Sequence, residues 1–342
     1  MATTFKNLLS TDIATTRTLL NEAIPLTGTI VSGTYDEDNP LQTNIKYYTH
    51  GMFESVYDYP YLSSSANRIF DLTYGYNSAT SGTHVMNAKK MNIYSQLSLV
   101  LNGAGPEGQI LNFDRDGDLL GTTTDSMNAC FFIPYARLLT KDEIKKGSYT
   151  LSWFSSSTTP GFGKTLITVG DYGAATEYRV NSPAGEYGLL YTSSAPPVSS
   201  GASSVGHLYY QAGIAVITAS GDLFQSASNY ITTMNITSAC NDLRSEWNNN
   251  SYNNTTELNS TIYFCQANAG EFNFSANPTY LTASAIRVKG GIGGNPSAQP
   301  KAYITTIGLY SPDNELLAVA KLSEPIQKDP SNSLVFRVRL DY

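Results

Sequence analysis

The clearest alternation of apolar and polar positions lies near the C-terminal end. Leu334, Phe336, Val338 and Leu340 alternate with Val335, Arg337, Arg339 and Asp341, the period of two that gives a strand one apolar face and one mostly charged face. Upstream, residues 303–310 and 315–321 flank Ser311-Pro312-Asp313-Asn314, a turn between two β-prone runs. Residues 148–154 and the apolar run 213–219 predict two further strands, the second buried. Short β-prone pieces with turn punctuation also fill residues 28–76, for example 28–35 and 69–74.

Helical spacing is rarer. Leu8, Leu9, Ile13, Leu19, Leu20 and Ala23 recur loosely before Pro25 and predict an N-terminal helix. Residues 87–101 place Met91, Ile93, Tyr94, Leu97, Val100 and Leu101 on one broad face, with Gly103 set to end the helix. Thr140-Lys141-Asp142-Glu143 has the form of a capping box opening a short helix that Gly147 closes. Residues 237–247 predict another short helix opened by Thr237 or Ser238, followed by an Asn-rich loop. A hairpin is expected over residues 109–120, turning at Asp114-Arg115-Asp116-Gly117.

The expected fold is therefore mainly β: antiparallel sheets, sandwich-like, with a few short helices. Residues 1–26 form its helical segment and 27–342 its β-rich body. Within that body, residues 155–206 are rich in Gly, Ser and Pro and predict a long loop or insertion suited to an exposed contact.

Composition narrows the function. Only 14% of the residues are charged, well below the roughly 25% of ordinary domains, so Ser, Thr, Asn and Gly must carry solubility. Such a surface tolerates close neighbours, and 24 tyrosines add a side chain enriched at interfaces, although a Tyr-rich sheet needs no partner. The net charge is −7 with no basic cluster, which argues against nucleic-acid binding. No apolar run approaches a membrane span, and the first residues lack the pattern of a signal peptide. Cys130, Cys240 and Cys265 form no CxxC pair. They are expected as reduced, mostly buried thiols of a protein made in a cytoplasm, with a Cys240–Cys265 disulfide left open.

Candidate chemistry is sparse. Pro160-Gly161-Phe162-Gly163-Lys164-Thr165 ends like a phosphate-binding loop but has Thr158 where that loop needs glycine. Asp114, Asp116 and Asp118 would suit Ca²⁺. However, Gly117 stands at the fourth position where an EF-hand loop has glycine at the sixth, and Asp125 takes the place of its terminal Glu. A tight turn explains these residues as well, so no metal is assigned and the calcium reading stays as the alternative. His50, His84 and His207 show no ligand spacing. Asp58, Asp71 and Glu271 lie among aromatics. They are the carboxylates a polysaccharide hydrolase would draw on, and solvated sheet-edge acids look the same. No cofactor is expected.

Four blocks carry a family resemblance: residues 56–67 (VYDYPYLSSSAN), 141–148 (KDEIKKGS), 272–281 (FNFSANPTYL), and 303–310 with 315–322 (YITTIGLY and ELLAVAKL). They resemble virion structural proteins of tailed, especially contractile-tailed, bacteriophages of aquatic bacteria. The resemblance implies a non-enzymatic subunit of the tail, baseplate or neck, located in the virion after synthesis in the host cytoplasm. Its partners would be other virion proteins and copies of itself, and the resemblance supplies no catalytic or binding residue. An adhesin module binding host-surface carbohydrate is the alternative, and a polysaccharide depolymerase a more distant one.

Overall fold

The computed structural model describes residues 5–27, 31, 43–77, 83–119, 125–155, 165–193, 203–221, 223–224, 226–274, 281–282, 285–286 and 300–342. Mainly antiparallel β-sheets make up the fold, with a sandwich-like large sheet and four short α-helices among the described residues. Two compact units divide the chain. The central unit is Leu19–Thr256, and the terminal unit combines Met1–Thr18 with Glu257–Tyr342.

Strand β1 (Ile13–Thr27) enters the central unit, followed by β2 (Ile45–Tyr47), β3 (Glu54–Tyr57), β4 (Arg68–Tyr76), helix α1 (Asn87–Leu101), β5 (Ala129–Pro134), α2 (Arg137–Thr140) and β6 (Glu143–Ile144). Then come β7 (Thr150–Ser155), β8 (Thr165–Gly170), β9 (Tyr187–Thr192), β10 (Gly206–Tyr209), β11 (Ile214–Thr218), α3 (Ala227–Thr232), α4 (Ile236–Glu246) and the first part of β12 (Trp247–Ala267). The sheet order from β12 is β7-β8-β9-β10-β11-β5-β4-β3-β2. Strand β5 (ACFFIP) is apolar along almost its whole length because β4 and β11 flank it and both its faces are covered. Phe131 touches Tyr74, Phe224 and Tyr230 at ring separations of 5.2–5.3 Å, 5.3 Å for the latter two. Phe132 meets Phe113 at 5.5 Å and Tyr94 at 6.3 Å. Helix α1 has the expected bounds and lies close against β4, because a Cβ at Gly75 would stand 2.8 Å from the Lys90 carbonyl and 2.9 Å from the Tyr94 amide. Tyrosine goes largely into this core: Tyr74, Tyr94, Tyr149, Tyr187, Tyr209 and Tyr230 are all fully buried.

The terminal unit holds the first part of β1, the last part of β12, β13 (Leu281–Thr282), β14 (Ala285–Ile286), β15 (Ala302–Tyr310), β16 (Leu316–Lys328) and β17 (Leu334–Asp341). Here β17 pairs with β12 from Ser260↔Asp341 to Ala267↔Leu334, and β15 and β16 form a hairpin. The C-terminal strands and their turn are those the alternation predicts.

Several expectations give way. The N-terminal helix is a short 3-10 turn (Ser10–Asp12) followed by the long strand β1. Its apolar spacing was loose, and the β-branched Ile13, Thr15, Thr16 and Thr18 favour an extended chain. Residues 165–193, expected within a loop, supply β8 and β9, with Val169, Leu190 and Tyr191 wholly buried; residues 156–164 and 194–202 lie outside the described residues. The Asn-rich stretch is strand, and its amide groups donate to neighbouring backbone: Asn250 to the Thr150 carbonyl of β7 (2.8 Å) and Asn254 to the Leu139 carbonyl of α2 (2.8 Å). The capping-box sequence ends α2 rather than opening a helix, and Glu143–Ile144 instead pairs with Asn254 and Thr255. Helix α4 is capped by the Asn235 side chain, which accepts from the Ser238 amide at 2.7 Å, rather than by Thr237 or Ser238. Strand 28–35 falls almost wholly outside the described residues.

Candidate functional site

The residues around Asp114–Asp118 make a turn, but not within the hairpin expected over 109–120. Isolated bridges join Ala104 to Ile110 and Asp114 to Ser126, and the Arg115 amide donates to the Asp125 carbonyl (2.9 Å). The turn is held from inside and outside. Asp114 Oδ1 accepts the Gly117 N–H (3.0 Å), and Asp116 Oδ1 accepts the Asp118 N–H (3.2 Å). From outside, Arg179 donates to the Asp116 carbonyl through Nε (3.1 Å) and Nη2 (3.0 Å). Asn181 Nδ2 and the Tyr187 hydroxyl both donate to the Gly117 carbonyl (2.9 Å each). Only glycine fits at 117: its φ is +70°, and a Cβ would meet Arg179, Leu189 and Tyr187 at 3.1–3.2 Å, 3.2 Å for the tyrosine hydroxyl.

The three carboxylates converge, each offering an oxygen within 4.8 Å of the others. Asp114 is buried, Asp116 half-buried and Asp118 exposed. Burial, then the neighbouring Asp116, push the Asp114 carboxyl up to about 7. Its Oδ2 has no hydrogen-bond partner. His207 lies buried nearby in the core, against Tyr187 (5.0 Å) and Phe113 (6.2 Å), and burial holds its imidazole down at about 3.

The other sequence candidates are not gathered into a centre. His50 stacks on Tyr48 at 5.2 Å, and His84 stands edge-on to Tyr76 at 5.9 Å. Asp58 accepts from the Asn67 amide (2.7 Å) and Asp71 from Ser55 Oγ (2.6 Å), while Glu271 pairs with Lys6 at 2.7 Å in the terminal unit. The phosphate-loop-like sequence 160–165 lies outside the described residues apart from Thr165. All three cysteines are free, with Cys130 and Cys240 buried.

Sequence reasoning missed a buried ion pair and a buried lysine. Arg244 on α4 meets Glu54 on β3 at 3.0 Å, both essentially without exposure. Lys90 on α1 donates to the carbonyls of Tyr230 (2.6 Å) and Met234 (2.7 Å). No local pattern marks either, since each partner comes from a distant segment.

In the terminal unit the notable feature is a surface. Strand β16 carries a single buried residue, Lys328, at its last position, and Leu317 and Val319 are 68% and 52% exposed. On β15 and β17, Tyr303, Tyr310 and Val335 are exposed as well. Among the described residues, the strand neighbour of β17 is β12 alone. No described helix is long and apolar enough to cross a membrane.

Comparison with protein-family models, with curated proteins and with solved structures finds nothing that matches this chain.

Proposed function

We propose that this chain is a non-enzymatic structural and assembly subunit of a tailed-phage virion, in its tail, baseplate or neck region. It works through contacts with copies of itself and with other virion proteins. The supporting observation is the terminal unit, whose β15–β16 hairpin and β17 present apolar side chains to open surface. A two-stranded hairpin is marginal in water without a covered apolar face. Exposed apolar surface of this kind marks interaction, and an unpaired strand edge is a template for another strand. A second copy is the first partner, since every copy carries the same β17 edge, unpaired among the described residues, and closed symmetric homo-oligomers are the commonest assemblies. The virion assignment itself rests on the four sequence blocks.

The test is incorporation. Carrying Leu317→Asp with Val319→Asp, both at exposed positions, the chain is expected to stay soluble with an unchanged circular dichroism spectrum and to be missing from purified particles. Normal incorporation of that variant contradicts the proposal.

A further inference from the structure

We infer that the turn from Asp114 to Asp118 is a calcium site, with the carboxylates of Asp114, Asp116 and Asp118 as its protein ligands. Their oxygens lie within 4.8 Å of one another, close enough to share one hard cation, and Ca²⁺ takes a shell of such oxygens in flexible geometry. Convergent acids alone would be ordinary in an Asp- and Gly-rich turn. The second observation is a bare oxygen on the buried member of the cluster. Asp114 is fully buried, its Oδ1 takes the Gly117 amide, and its Oδ2 meets no donor. Buried acceptors are nearly always satisfied, and an orphaned carboxylate oxygen asks for an ion or a proton.

The surroundings favour the ion. Arg179, the nearby guanidinium, directs Nε and Nη2 to the Asp116 carbonyl and Nη1 to the Glu177 carbonyl. Asn181 and Tyr187 fix the Gly117 carbonyl, so the turn is set before any ligand arrives. The cluster grades from buried Asp114 to exposed Asp118, which leaves an approach from solvent and room for the waters that complete a six- to eight-oxygen shell. The site lies in the central unit and is independent of the assembly surface proposed above.

Terbium(III) is the probe, because Tyr187 bonds the turn's own carbonyl and can sensitise a lanthanide bound there. With chelator-stripped full-length chain, tyrosine-sensitised emission should saturate, and Ca²⁺ should displace it at lower concentration than Mg²⁺. Saturating Ca²⁺ should raise Tm by about 3 °C or more. Asp116→Asn with Asp118→Asn removes two ligands at positions that are not buried, so the fold should persist while terbium affinity falls about 100-fold. Absence of saturable emission, or emission and Tm shift unchanged in the double variant (an adventitious ion only), overturns the site. Asp114→Asn separates ion from proton: if the oxygen merely holds a proton, this variant keeps the stability of the chain in calcium, and the inference is wrong.

Discussion

The central and terminal units are both built of antiparallel strands, yet they bury their side chains very differently. In the central unit β5, β4 and β11 are covered on both faces, and aromatic rings from the sheet and from α1, α3 and the 223–224 segment pack on one another. In the terminal unit, the apolar residues buried on strands as long or longer are Ile262, Ala267, Ala302 and Val338 among the described residues. Strand β17 makes the point most clearly: its alternation is strict, but of Leu334, Phe336, Val338 and Leu340 only Val338 is buried. A period of two establishes a strand and its two faces. It says nothing about what covers the apolar one.

The largest effect expected from this contrast is in stability. Phe131→Ala, which opens a cavity under three aromatic neighbours, should lower the unfolding free energy by about 3–5 kcal/mol. Val319→Ala in the terminal hairpin should change it by less than about 0.5 kcal/mol in the dissociated chain. Urea denaturation of both variants is the check, and similar losses would erase the distinction between the units.

A comparable loss is expected at the buried pair. Arg244→Met leaves the Glu54 carboxylate, already bare at Oε2, without the guanidinium that bonds Oε1, and should destabilise by about 3–5 kcal/mol. Replacing both residues by apolar ones, Glu54→Leu with Arg244→Met, should recover most of that loss. If the double variant is as unstable as the single one, the pair stabilises more than its desolvation costs.

A smaller effect is a pH dependence. Asp171 accepts from the amides of Gly147 (2.6 Å) and Tyr149 (3.0 Å) and from the Tyr210 hydroxyl (3.2 Å). Burial outweighs these donors and raises its carboxyl from 3.8 to about 6. The folded state therefore holds this proton more tightly than the unfolded chain. Its contribution to stability is complete below about pH 4 and is lost as the pH rises through about 6. The stability of the wild-type chain relative to Asp171→Asn should fall over that window and be flat above it. A difference that rises with pH would contradict the account.

The smallest expected effect is in thiol chemistry. Burial raises the Cys130 and Cys240 thiols well above their ordinary value, whereas Cys265 is only half-buried. Native protein should label at Cys265 first, with the two core thiols reacting only on unfolding.

How legible all this was depended on whether the signal was local. The C-terminal strands, β11 and α1 follow from period, turn residues and apolar runs within a dozen positions. The N-terminal segment misled because Leu and Ala at loose spacing resemble a helix, while its actual state depends on pairing with β12. The Asn-rich part of β12 misled because polar amides read as loop until their carbonyl partners on β7 and α2 are known. At the candidate site the turn was legible, since Asp and Gly at fixed spacing dictate it. The bare Asp114 oxygen was not, because the residues packed on this turn at Gly117, namely Arg179, Tyr187 and Leu189, lie more than sixty positions on.

Whether the exposed apolar side chains of the terminal unit meet a second copy is measured directly by sedimentation velocity of the full chain. Reversible, concentration-dependent association is expected at micromolar protein, abolished in Leu317→Asp with Val319→Asp while the urea midpoint of the central unit stays the same. A wild-type chain that sediments as a monomer at every concentration, with the variant indistinguishable from it, would contradict the claim.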